Sequence, residues 1–277
     1  MTSLFYSLPG WIAAVFVLGL ALAVGLGCSV GVQRSFRLKP TDEEKEIAIN
    51  LMQVVAAYIG IMLAFAGVAV WQNFADADTA VHQEAATASE LYRDLTTYGP
   101  ETQAVRGDLR AYIGSILHDE WPSLRDGHGS LATEAALGRI FVELGNFNPQ
   151  SNRDSAIFTE SFSKLNDLVV LRRNRIIASQ AGIPLILWIV GLVGSTLTIS
   201  YASAFSRTRY NLVMISGTSV AIGLVFLFIL MVDRPFKGEF SVQNTDLVQL
   251  TATFDRLDRL VSANQRVPPK LSPVGSP

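Results

Sequence analysis

Four stretches of the chain contain no Asp, Glu, Lys or Arg: Thr2–Gln33, Ile47–Ala75, Ile176–Ser206 and Tyr210–Val232. A helix rises about 1.5 Å per residue, so roughly 20 apolar residues cross a hydrocarbon core of about 30 Å. All four stretches meet that length. The pattern predicts an all-α integral membrane protein with four transmembrane helices, in two hairpins that flank a soluble helical segment. The first hairpin (1–75) holds spans at about 11–33 and 47–75, and the second (181–232) holds spans at about 181–206 and 210–232. Residues 76–180 form the soluble segment, and 233–277 an amphipathic helix with a disordered tail. No Lys or Arg precedes Arg34, and the first apolar run exceeds the length of a signal-peptide core, so it reads as a span rather than a leader.

Finer patterning fills in the elements. Gly19, Ala23, Gly27 and Gly31 recur every four residues and offer one small-residue face to another backbone, in the same subunit or a neighbouring one. Gly191, Gly194, Ser195 and Thr198 do the same in the third span. Thr41 and Glu44 have capping-box spacing, which starts a helix near Asp42. Beyond Gln72 that helix turns amphipathic. Phe74, Val81, Ala88 and Leu95 repeat at seven, beside a row of Ala77, Glu84, Leu91 and Tyr98, so the second span continues as one helix to about Tyr98. Gly99–Pro100 ends it. Further helices are predicted over 101–119, 131–144 and 152–181, with a loop at 121–130 and a kink at Gly182 and Pro184. Leu247, Leu250, Phe254, Leu257 and Val261 form a heptad stripe able to clamp a neighbouring subunit or a partner. The four prolines of Val267–Pro277 mark a disordered tail.

Composition agrees with this division and excludes several functions. Charged residues are only 17% of the chain, against about 25% in soluble domains, and mean hydropathy is +0.32. A net charge of −2 gives no footprint for nucleic acid. The single cysteine, Cys28, cannot close an intrachain disulfide or a thiolate cluster. His82, His118 and His128 lack metal-ligand spacing, and neither a phosphate loop nor an activated nucleophile is present. His118–Asp119–Glu120 reads as a solvated helix end. No catalytic residue, metal or cofactor is therefore expected. Basic residues do not orient the chain. Arg34, Arg37, Lys39, Lys45, Arg207 and Arg209 on the short loops are offset by Arg172, Arg173, Arg175, Arg234 and Lys237 on the other side.

Two passages carry a resemblance. Gly60, Phe65, Trp71, Gln72, Asn73 and Phe74 resemble the second span of bestrophin channels, and Pro235, Phe236, Gly238 and Glu239 resemble the segment after their last span, with Lys237 inserted. The chain is more similar still to a bacterial group called bestrophin-like (DUF4239). The matching features are Glu84–Ala85, Glu120–Trp121, the arginines Arg172, Arg173 and Arg175, and Asp233–Arg234–Pro235–Phe236, in that order. The resemblance implies a homopentamer in a bacterial cytoplasmic membrane, with inorganic ions crossing a pore lined by the second span. It also implies that the soluble helices and both termini are cytoplasmic. Calcium gating is not implied, because no acid follows Glu239 until Asp246. By the same register Gln53, Ala57 and Ile61 fall where bestrophins place a narrow apolar neck able to gate by dewetting, but Gln53 and Ala57 depart from its bulky apolar pattern and imply a wider or wetter opening.

Each candidate has a plainer alternative. The second-span face can simply pack on neighbouring helices. Arg172, Arg173 and Arg175 suit either a cationic vestibule ring or lipid headgroups. Asp76, Asp78 and Glu84 suit either a cation-favouring vestibule or a solvated helix face. Asp233, Arg234, Pro235 and Phe236 read as a membrane-exit turn, with Arg234 capping the preceding carbonyls. Two functions follow: a bestrophin-like homo-oligomeric ion channel, or a non-conducting membrane scaffold or sensor whose soluble helices bind a partner protein.

Overall fold

The structure, a computed structural model, describes residues 6, 8–36, 41–201 and 208–265, with side chains in these ranges other than 32–36 and 261–265. The loop cations Arg37, Lys39 and Arg207, the side chains of Arg34 and Val261, and the tail from Val267 lie outside the described residues.

Every element among the described residues is helical. In chain order they are α1 (Gly10–Phe36), α2 (Asp42–Tyr98), α3 (Gln103–Ser115), α4 (Trp121–Leu124) and α5 (Leu131–Gly145). Then come α6 (Asn152–Gln180), α7 (Leu185–Tyr201), α8 (Arg209–Val232) and α9 (Thr245–Gln265). Four stretches, in α1, in α2, within 152–201 and in α8, are long and apolar enough to cross a membrane.

The capping box starts α2. Thr41 N donates to Glu44 Oε2 at 2.7 Å, and Glu44 N donates back to Thr41 Oγ1 at 3.3 Å. The helix then runs 57 residues without a break. Gly99 stops it with φ +145°, a conformation that side chains disfavour, and Pro100 follows. The helix predicted over 101–119 differs in detail. A 3₁₀ turn (Pro100–Thr102) precedes α3, and a wide π turn (Ile116–Glu120) follows it and leads directly into α4, inside the stretch read as loop.

The chain divides into two compact units, Met1–Asp76 with Ala181–Val242, and Ala77–Gln180 with Gln243–Pro277. In the first, α1 packs most closely on α8 and next on α7. The contact runs through Ala21 and Gly25: a Cβ on Gly223 would sit 2.8 Å from that of Ala21, and one on Gly25 would overlap the Ser219 hydroxyl. The predicted small-residue stripe is not this face. Nothing lies within 4 Å of where a Cβ would stand on Gly19, Gly27 or Gly31, and Ala23 is exposed. On α2, Ile59, Leu63, Ala66 and Val70 follow four-three-four spacing and pack with Ile229 and Val232 of α8. Gly191 and Gly194 of α7 let Leu63 and Ile59 approach closely.

In the second unit, both heptad rows of α2 are interior: Ala77, Val81, Ala88, Leu91 and Leu95 are buried. Three residues of the α9 stripe pack within the chain rather than standing free for another molecule. Leu247, Leu250 and Phe254 are buried, and Phe254 stacks on Tyr92 with ring centroids 4.0 Å apart. Asp258 holds Arg106 at 2.6 Å and Arg110 at 2.9 Å, and accepts from the Tyr92 hydroxyl at 2.7 Å.

Candidate functional site

Three groups of residues singled out by sequence can now be placed. The first is the α2 face. Ile59, Leu63, Ala66 and Val70 turn one side of the helix into the first unit, and Gln53, Ala57 and Ile61 project from the opposite side, all exposed. Val54, Tyr58, Phe65 and Val68 widen this exposed apolar face, on which Ile61 is 60% accessible.

The second group is a buried ionic cluster in the second unit. Arg175, on α6, is fully buried and donates to Glu84 of α2 through Nε at 2.6 Å and Nη2 at 3.2 Å. Its Nη2 also reaches Glu120 Oε1 at 2.8 Å. Glu120 is equally buried, and accepts from Arg172 Nη2 at 2.6 Å and from Ser130 N at 2.9 Å. The buried Tyr112 hydroxyl donates to Glu84 at 2.6 Å. The π turn matters here, since it places Glu120 on the inward side with Ile116 and Tyr112. Burial works against the Arg175 charge, but Glu84 more than offsets it and holds the guanidinium above its usual pKa. Burial, reinforced by the Glu84 charge, pushes the Tyr112 hydroxyl well above its usual value, so it stays a donor.

This arrangement changes the reading of the charged candidates. Within the chain, Arg175 and Glu84 are each other's partners, and Arg172 pairs with Glu120. Neither arginine reaches out to headgroups here, and Glu84 is not on a solvated face. Arg173 is exposed, as is Asp76, while Asp78 is half-buried beside His82 at 3.4 Å. His118 and Asp119 are exposed but lie within the π turn rather than at a helix end, and Glu120 is buried, so the solvated-cap reading of the three fails. Sequence reasoning missed the cluster because its partners lie 91 and 55 residues apart. One signal was available: Glu84 occupies a heptad row whose neighbours Ala77 and Leu91 are fully buried.

The third group is the exit turn after α8. Asp233 Oδ1 accepts from Ile183 N at 2.6 Å, and Arg234 Nη1 donates to Ala181 O at 3.2 Å. Arg234 thus caps the broken backbone before α7, not the end of α8 as the sequence suggested. Phe236 is buried, and Gly238 takes φ +87°. Glu239 Oε2 then accepts from Gly10 N at 2.6 Å, tying this turn to the start of α1. No group of three or more His, Cys, Asp or Glu positioned for a metal occurs among the described residues.

Long apolar helices, a second helical unit locked by buried ion pairs and a stapled exit turn define a helical membrane protein. More narrowly, the chain belongs to the bestrophin-like family, whose domain matches residues 19–247. Its fold is similar to a bacterial bestrophin homologue from Klebsiella pneumoniae, at TM-score 0.61 and 16% identity over 92% of this chain and 99% of that one. A mutant of that homologue gives TM-score 0.62 at 15% identity with the same coverage. A crystal structure described as a membrane protein gives 0.62 at 13%, again with 92% and 99% covered. No curated protein matches the chain.

Proposed function

We propose that the protein is a bestrophin-type ion channel, a homo-oligomer and by family resemblance a pentamer, in a bacterial cytoplasmic membrane. Its four spans lie at about 11–33, 47–75, 181–206 and 210–232, and the soluble segment is cytoplasmic. Copies of α2 gather around a shared axis, with Gln53, Ala57 and Ile61 towards the opening. The observation that carries this reading is the two-sidedness of α2. One side is consumed by Ile59, Leu63, Ala66 and Val70, and the other is left open over several turns in a chain of bestrophin-like family. Ile61 supplies the apolar constriction of such an opening, which conducts when wetted and closes when dry, with polar Gln53 and small Ala57 making the rest wider and wetter.

Asp76, Asp78 and Arg173 are the candidate charges left to set ion preference, since Glu84, Arg172 and Arg175 are neutralised among buried ion pairs. Bilayer recording with ion substitution tests the proposal. Currents whose reversal potential follows one ion support it, and a monomer or dimer in detergent contradicts it. The scaffold alternative loses part of its docking surface, because Leu247, Leu250 and Phe254 of the α9 stripe are buried against their own chain.

A further inference from the structure

A cavity of about 120 Å³ lies within the first unit between α1, α7 and α8, lined by Leu20, Val24, Leu192, Ser195, Ser219 and Phe226 among others. No lining residue is charged. Leu20 and Leu192 sit near the middles of their helices and are 54% and 53% exposed, so the cavity opens sideways at mid-span. Hydroxyls in apolar helices usually satisfy themselves on the carbonyl one turn back. Thr196 does so to Leu192 O at 2.7 Å, and Ser219 to Ile215 O at 2.8 Å. Ser195 does not. Its Oγ is buried and makes no hydrogen bond among the described residues, although the residue is only 4% exposed. At membrane depth an unpartnered hydroxyl is costly, since no bulk solvent supplies a partner.

We infer that this cavity is an intramembrane binding site for an uncharged, ring-sized alcohol or phenol that partitions into the bilayer. The ring fills the apolar space and the ligand hydroxyl pairs with Ser195 Oγ. At about 120 Å³ the cavity is somewhat smaller than the roughly 150 Å³ that takes up benzene, so the ring enters with one edge in the lateral opening between Leu20 and Leu192. The absence of lining charge selects against ions. The site belongs to one chain and does not depend on conduction.

Photolabelling of the full-length protein in nanodiscs with a diazirine-bearing cyclohexanol tests the inference. The label is expected on Leu192–Ile199 and Ser219–Phe226, displaced by excess cyclohexanol and about fivefold less well by cyclohexane, the worth of one hydrogen bond. Ser195→Ala, which deletes only an unpartnered oxygen and so spares the fold, is expected to reduce labelling about fivefold. It is also expected to remove the preference for cyclohexanol over cyclohexane. Val24→Phe fills the space and is expected to abolish labelling. Label spread evenly over outward residues such as Val15 and Phe16 overturns the site. Equal displacement by cyclohexane, or labelling indifferent to Ser195→Ala, overturns the assigned polar contact.

Discussion

Among single side chains, Arg175 carries the heaviest structural duty. It is fully buried and bridges Glu84 and Glu120, so its removal leaves Glu84 buried with no cationic partner and takes from Glu120 one of its two arginines. Breaking a buried pair from one side costs about 3–5 kcal/mol, far more than a surface pair. Arg175→Ala is therefore expected to lower the melting temperature sharply, while Arg173→Ala, two residues earlier and exposed, leaves it nearly unchanged. Thermal unfolding of the two variants checks this, and equal effects would contradict the cluster. Arg175→Lys is not a conservative rescue, because an ammonium cannot reproduce the guanidinium fork across two acids. The sequence showed three arginines in four positions but not their fates. Burial is decided by partners arriving from α2 and the π turn, and local spacing is blind to both.

At the scale of elements, α9 is held by Phe254 on Tyr92 and by Asp258 against Arg106 and Arg110. Burial pushes the Asp258 carboxyl up, but the Tyr92 and Arg110 hydrogen bonds and the two arginine charges outweigh it and leave its pKa below the usual value. A carboxylate whose pKa falls on folding adds stability above its unfolded pKa, and that stability is lost as pH drops through the folded value. Docking of α9 is therefore expected to weaken below about pH 4. Hydrogen exchange over Thr245–Gln265 at neutral and acid pH measures it, with Asp258→Asn expected to speed exchange already at neutral pH.

Helix existence was legible from charge-free runs, the Thr41–Glu44 box and the heptad rows of α2, all of which are local signals. Helix faces were less so. The small-residue stripe of α1 suggested one packing side, yet Ala21 and Gly25 meet α8 instead. Small residues permit close approach on any face, and the bulk of the arriving helix decides which is used.

For the molecule as a whole, the account rests on what covers the open side of α2. That side was legible only through resemblance, since periodicity marks an apolar face without saying whether lipid, another copy or an axial opening lies against it. Detergent-purified protein is expected to run as a pentamer by native mass. The most direct measurement is single-channel recording of the unsubstituted chain and Ile61→Ala in matched bilayers, with the mass of the inserted protein verified. Ile61 is 60% accessible and makes no part of the packed side, so its truncation spares the fold. Discrete ion currents that grow larger or open more often in Ile61→Ala are expected. Silence from both proteins, or indistinguishable currents, would contradict a pore lined by α2.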